Sequence, residues 1–190
     1  MSMKNLHISL LSVFFLIFLS NASKAQVIIT GASPTIAENT NYTSLSTAFT
    51  ALNGVASWSG KAIVITVTSD LSETVTAQLN QPSASNWTSL AIRPSGARVI
   101  SGSISGGGLI FLNGADHVTI DGLNTGGNSL IISNTNSSST SGTSTILFKA
   151  DASSSKVTNC SILGSFSGAA SATGGNIFFS TGSSTGNDNN

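Results

Sequence analysis

The sequence predicts an all-β protein wound as a parallel β-helix, a solenoid, with one capping helix near its amino terminus. Three observations carry that expectation. About half of the chain is small, polar and uncharged: Ser, Thr, Asn and Gly make up 93 of 190 residues, whereas charged residues are 7%. Past Gly60 the apolar residues fall into short β-branched clusters separated by Gly, Ser, Asn and Asp, the pattern of strands and corners. Those clusters recur in rows every 31 to 39 residues, which fits one turn of a three-sided coil.

At the amino terminus, Lys4 precedes an apolar stretch from Ile8 to Leu19. That run is too short to cross a hydrocarbon layer of ~30 Å, which needs ~20 residues. Ser23-Lys24-Ala25 then offers small residues at the two positions a signal peptidase reads. Residues 1–25 are therefore expected to be a signal peptide. The expected localisation is secreted or cell surface, with no membrane span left after removal.

Residues 26–41 read as an amino-terminal lead-in, with a short strand at Val27-Ile28-Ile29 and a break at Pro34. Residues 42–190 are expected to hold the capping helix and the first coils of the solenoid. Leu45, Ala48, Phe49 and Leu52 stand at i, i+3, i+4 and i+7, one apolar stripe of a helix. Thr43 or Ser44 can cap its start and Gly54 can close its end. The helix has a purpose at that place: the first coil would otherwise expose an unpaired edge and an open core.

The expected strand clusters follow in order. They are Ile63 to Val67, Thr74-Val75-Thr76, Leu90-Ala91-Ile92, Val99-Ile100, Leu109 to Leu112, Val118-Thr119-Ile120, Leu130-Ile131-Ile132, Ile146-Leu147-Phe148, Val157 to Ile162, and Ile177-Phe178-Phe179. The clusters starting at Leu109, Ile146 and Ile177 recur at intervals of 37 and 31, and those starting at Val118 and Val157 at 39. Leu130 falls 31 residues after Val99. Uneven spacing sits in polar stretches, Ser133 to Ser144 and Gly164 to Gly175, where insertions are harmless.

This composition suits a solenoid for physical reasons. Each strand pairs with the coils above and below it, at ~4.8 Å, so no hairpins are needed. Inward Val, Ile, Leu and Phe each stabilise by ~1.5–3 kcal/mol when buried. Gly and Asn supply the φ > 0 conformations of corners. A disordered linker, by contrast, would show high charge and few β-branched residues. Cys160, the one cysteine, reads as a small buried hydrophobe, because no His or Lys is close enough in sequence to suggest a lowered pKa, Lys156 being four residues away.

The segment Asn113-Gly114-Ala115-Asp116-His117-Val118-Thr119-Ile120-Asp121-Gly122-Leu123 resembles the recurring coil of right-handed parallel β-helix proteins of the pectin-lyase-like superfamily, and Val157 to Ile162 resembles the same element one coil later. Residues 42–190 as a whole are similar to the amino-terminal part of large secreted bacterial β-helix surface proteins. The resemblance implies a right-handed winding and says little about activity, since that superfamily spans lyases, hydrolases and adhesins. It also implies that the coils are incomplete at the carboxy terminus, because the chain stops at Gly186-Asn187-Asp188-Asn189-Asn190, inside an expected corner.

Residues able to do chemistry are few: two His, one Cys and seven carboxylates. The best constellation is His117, Thr119 and Asp121. With Val118 and Ile120 inward, alternation puts these three on the outer face, where a His beside a carboxylate can serve as a base. Asp121-Gly122 is nonetheless an ordinary corner dipeptide, and the structural reading is preferred. The acids are scattered, with no adjacent pair such as glycoside hydrolysis needs. Arg93 and Arg98 flank Pro94 as surface arginines of a turn. Ser153-Ser154-Ser155-Lys156 matches Ser-x-x-Lys through its serine richness. Thr66, Thr68, Thr74 and Thr76 form two short pairs, too few for an ice-binding ladder.

No catalytic, cofactor-binding or metal-binding residue is therefore assigned, and no cofactor is expected. Without Lys4 and Lys24 the chain holds five basic and seven acidic residues, and no patch is dense enough to bind nucleic acid. The expected function is a secreted non-enzymatic scaffold, with adhesion or glycan binding through an outer face of Ser, Thr and Asn. Its expected partners are carbohydrate or cell-surface components, together with self-association through an open carboxy-terminal coil. The alternative is the amino-terminal part of a polysaccharide lyase or glycoside hydrolase whose catalytic coils lie beyond residue 190.

Overall fold

The computed structural model describes residues 26–169, 172–180, 187 and 190. The expected leader, residues 1–25, lies outside them. Alternating inward and outward residues make short strands that cannot bury their apolar side alone, and the chain solves this by stacking. Twelve strands form four successive coils of three. The first coil is β3 (Ala62–Val67), β4 (Leu71–Glu73) and β5 (Ala77–Asn80); the second is β6 (Ser89–Pro94), β7 (Ala97–Gly102) and β8 (Gly108–Asn113). The third is β9 (Val118–Asp121), β10 (Ser129–Asn134) and β11 (Ser144–Lys149); the fourth is β12 (Lys156–Thr158), β13 (Cys160–Gly164) and β14 (Gly175–Ser180).

Each strand pairs in parallel with its counterpart in the next coil, which generates three sheets. The first runs β3-β6-β9-β12, the second β4-β7-β10-β13 and the third β5-β8-β11-β14. The expected parallel solenoid is thus observed. Its core includes three columns of stacked side chains, one from each sheet: Ile65, Ile92, Ile120 and Val157; Leu71, Ile100, Ile132 and Ile162; Leu79, Leu112, Phe148 and Phe179. In the first three coils every one of these is at most 2% exposed.

The amino-terminal end is closed by two devices. Strand β1 (Val27–Thr30) lies antiparallel on β3, and β2 (Thr40–Tyr42) lies antiparallel on β1, so the first sheet gains two extra strands. Helix α1 (Leu45–Asn53) covers the core opening with Leu45, Ala48, Phe49 and Leu52, the stripe predicted from its spacing. Ser44 is the cap: its hydroxyl accepts from the Thr47 N–H, and the Thr47 hydroxyl accepts from the Ser44 N–H. Gly54 ends the helix in ordinary right-handed geometry, its N–H reaching the Thr50 carbonyl.

Helix α1 also serves as the missing neighbour of the first coil. The Asn53 amide donates to the Gln78 carbonyl and accepts from the Asn80 N–H, both at 2.9 Å, thereby occupying the free edge of β5. Buried Glu73 in β4 accepts from the Leu45 N–H at 2.6 Å and the Ser46 N–H at 3.1 Å. Those are orphan donors of the first helical turn, and a carboxylate there also meets the positive end of the helix dipole.

Several expected details are corrected. Thr74-Val75-Thr76 is a turn rather than a strand, with Val75 58% exposed, and β4 and β5 flank it instead. The cluster Val157 to Ile162 is split by a corner at Asn159, whose φ is +55°. The rows are right but the registers are shifted: Ile146 pairs with Ile110, not Leu109; Val157 pairs with Ile120, not Val118; and Leu130 pairs with Arg98, not Val99. Corners set those registers. A Cβ on Gly122 would come within 2.0 Å of the Asn159 carbonyl oxygen, so this position tolerates only glycine under its stacked neighbour. Buried Asn134 likewise knits the next corner, its amide donating to the carbonyls of Ile104 and Ser144 and accepting from the Ile104 N–H.

Candidate functional site

Outward positions of the first sheet bring the charged residues together. Arg93 follows inward Ile92, Asp121 follows Ile120 in the next rung, and Lys156 precedes inward Val157. Asp121 accepts from the Asn159 amide and the Leu123 N–H, each at 2.9 Å. The Asn159 bond first, then the Leu123 bond and the positive charges of Arg93 and Lys156, hold its carboxyl below the usual carboxylate range. A carboxylate stabilised in this way is a weak base.

His117 is exposed, on the turn before β9, with φ at +56°. It precedes β9 rather than belonging to it, and the groups that act on Asp121 are Asn159, Leu123, Arg93 and Lys156, not His117. Asp121 and His117 form no hydrogen-bonded dyad. The corner beside it contains Asp116 and Ser153 as well, but the Ser153 hydroxyl donates to Asp116 at 2.9 Å, and the same carboxylate accepts from the Ser153 N–H and the Gln81 amide. The Ser153 hydroxyl therefore donates to a carboxylate rather than to the His117 imidazole. These contacts tie three successive corners, and they also absorb the Ser-x-x-Lys match: Ser155 donates to the Ala115 and Ser153 carbonyls.

The remaining expected positions separate. Arg93 is on the first sheet, while Arg98 is on the second, its guanidinium donating to the Ala97 carbonyl at 2.8 Å. Thr66 stands against Arg93 in the next rung, and Thr74 and Thr76 are in a turn, which leaves no threonine ladder. Cys160 is half-buried, with its sulfur 3.1 Å from the Thr158 carbonyl oxygen. Burial pushes its thiol up to about 11, so it is protonated at neutral pH. Among the described residues, no three His, Cys, Asp or Glu side chains gather at metal-binding distance, and no helix is long and apolar enough to cross a membrane.

A different face carries the most organised outward surface, and sequence reasoning missed it. On the third sheet, Gln78, Phe111, Leu147 and Phe178 stand in one row, rung upon rung. Asn80, Asn113, Lys149 and Ser180 form the parallel row beside it. The Asn80 side-chain oxygen Oδ1 accepts from the Gln78 amide at 2.7 Å and the Asn113 amide at 2.9 Å, which links the two rows. Leu147 is buried at 7% exposure, so of the apolar members of the row only Phe111 and Phe178, half-buried and two rungs or about 10 Å apart, reach the surface. Loops stacked on one another by hydroxyl and amide contacts lead into this sheet, as between Asn136 and Ser103 or Ser141 and Thr173. The signal for this face was alternation: with Ile110 and Leu112 inward, Phe111 must point outward.

No family model, curated protein or solved structure matches the chain.

Proposed function

We propose that this chain is a secreted, non-enzymatic β-helix scaffold of the cell surface or extracellular space, related to the pectin-lyase-like superfamily, which makes adhesive contact with glycans. The observation that supports this reading is the outer face of the third sheet: an apolar row with two phenylalanines beside a row of amides, a hydroxyl and a single ammonium. Sugar rings present apolar C–H faces and hydroxyl edges, and paired apolar and polar rows answer both. The near absence of charge fits a neutral glycan better than an acidic one. Export is supported by the leader-like pattern of residues 1–25.

The test is retention of the purified chain on a panel of neutral and acidic polysaccharides, with Phe111→Ala as the comparison. Binding to a neutral glycan, weakened at least fivefold by the substitution, supports the reading. Absence of binding to every glycan, or turnover of any of them, overturns it. Amino-terminal sequencing of the exported protein tests the leader; the expected first residue is Gln26.

A further inference from the structure

The outer face of the third sheet has a spacing as well as a chemistry. Its apolar row advances by one residue per rung, ~4.8 Å, so Phe111 in β8 and Phe178 in β14 stand two rungs apart with buried Leu147 between them. The polar row runs alongside at the same interval, with Asn80, Asn113, Lys149 and Ser180 each supplying one group per rung. Asn80 Oδ1 is held by the amides of Gln78 and Asn113, so this row is ordered before anything binds to it.

On the other side of Phe111 and Leu147 the face is filled in. Alternation puts Leu109 and Thr145 on the same outer side, yet both are fully buried. The Leu109 side chain lies against Gly102, and the Thr145 hydroxyl donates to the Leu163 carbonyl at 2.6 Å. Gly102 and Leu163 are near the ends of β7 and β13, where the second sheet turns into its loops. In the second and third coils the accessible strip is therefore narrow, one apolar row and one polar row, and it runs along the solenoid axis.

One polysaccharide geometry answers such a strip. In a chain of pyranoses joined by equatorial 1,4 bonds, each sugar advances the chain by about the ~4.8 Å of one rung and is turned half a turn from its neighbours. Rings presenting the same face recur every two sugars, which is the separation of Phe111 and Phe178. Hydroxyl edges recur at every sugar, which is the interval of the polar row. Axial 1,4 bonds and 1,3 bonds curl the chain into a helix, and a helix keeps no register with a straight row. Resting on the glycan-binding reading above, we propose that the strip selects neutral β-1,4-linked glucans of the cellulose type, laid along the solenoid axis with alternate rings on Phe111 and Phe178. The recessed Leu147 stands under the intervening sugar. Three sugars are the fewest that can touch both phenylalanines, and four fill the four rungs.

Calorimetric titration of the full chain with cello-oligosaccharides of two to six sugars tests the proposal, with malto- and laminari-oligosaccharides of equal length as the α-1,4 and β-1,3 comparisons. Cellotriose is expected to bind at least tenfold more tightly than cellobiose, because only the trimer links two ring contacts, and the gain levels off after four sugars. The other two series are expected to bind at least tenfold more weakly at equal length. Phe178→Ala is expected to reduce cellotriose to the affinity of cellobiose, and Phe178→Tyr, which keeps the ring, to leave it within twofold. The length series on the unaltered chain decides the proposal even if the alanine variant fails to fold. Malto- or laminari-oligosaccharides bound as tightly as the cello series, no step between two sugars and three, or a folded Phe178→Ala chain that keeps the step would overturn the linkage preference and leave the glycan-binding reading standing. Binding of none of the three series overturns the linkage preference, and only its extension to every polysaccharide of the earlier panel overturns both.

Discussion

The first and fourth coils have the same three strands and the same inward columns, but they differ in what lies against them. Leu79 in the first coil is fully buried, whereas Phe179, three rungs further along the same column, is half-exposed. The free edge of β5 is met by the Asn53 side chain, and the Leu45 and Ser46 donors of α1 are met by Glu73. At β14 the Asn187 amide donates to the Ser180 carbonyl at 3.1 Å, but no helix lies against this coil among the described residues. A solenoid therefore needs no special sequence to continue, because each coil is the partner of the next. It needs one to begin, and here the sequence departs from Ser, Thr and Gly to supply an amphipathic helix, a buried acid and an antiparallel strand.

That comparison can be broken at the capped end first. Phe49 is fully buried in α1, and Phe49→Ala is expected to destabilise the fold by about 3–5 kcal/mol in urea unfolding followed by the fluorescence of buried Trp58 and Trp87. Glu73→Ala leaves the Leu45 and Ser46 N–H groups unpaired under the cap and is expected to cost about 2–3 kcal/mol in the same measurement. Asn53→Ala frees one donor and one acceptor at the edge of β5, an expected loss of about 1 kcal/mol. At the open end Phe179→Ala removes a ring that is only half-buried, so its cost is expected to be about 1 kcal/mol or less. A loss as large as that of Phe49→Ala would show that the fourth coil is covered after all.

The smallest expected effect belongs to the outer face. The Asp121 carboxyl is held below its usual value by the Asn159 and Leu123 bonds, so the folded state favours its ionised form. The stabilisation is present above the unfolded pKa and disappears as pH falls through the lower folded one, in the acid range below about pH 4. Asp121→Asn is expected to remove that part of the acid dependence and to lower stability at pH 7 slightly, towards the value that the parent chain has in acid. An unaltered acid profile would contradict the role given to the Asn159 contact.

How much of this was legible in the sequence follows from what sets each feature. The buried stripe of the helix was readable, because Leu45, Ala48, Phe49 and Leu52 follow a period that no strand can share, while the cap was left between Thr43 and Ser44. The three rows were readable because a solenoid repeats its burial. Registers were not: in runs such as Leu109-Ile110-Phe111-Leu112, both faces are apolar, and period two cannot tell which one is inside. The same ambiguity hid Phe111 and Phe178 on the outer face. Strands β4 and β5 escaped notice because Leu-Ser-Glu and Ala-Gln-Leu-Asn lack β-branched residues; their conformation is imposed by pairing with β7 and β8. Glu73 read as one scattered acid among seven, since its helix partner is 28 residues away. The expected grouping of His117 with Asp121 assumed strand alternation, but His117 stands on a left-handed turn before β9, where alternation does not fix its direction.

Native-state hydrogen exchange, at concentrations where the chain is monomeric, reaches the central claim most directly. Coil stacking with a helix-covered first coil and a half-exposed fourth coil predicts that β8 and β11 amides are the most protected, that β5 approaches them under its helical cover, and that β14 exchanges far faster than all three. Equal protection of β14 and β8, or exchange of β5 as fast as β14, would contradict it.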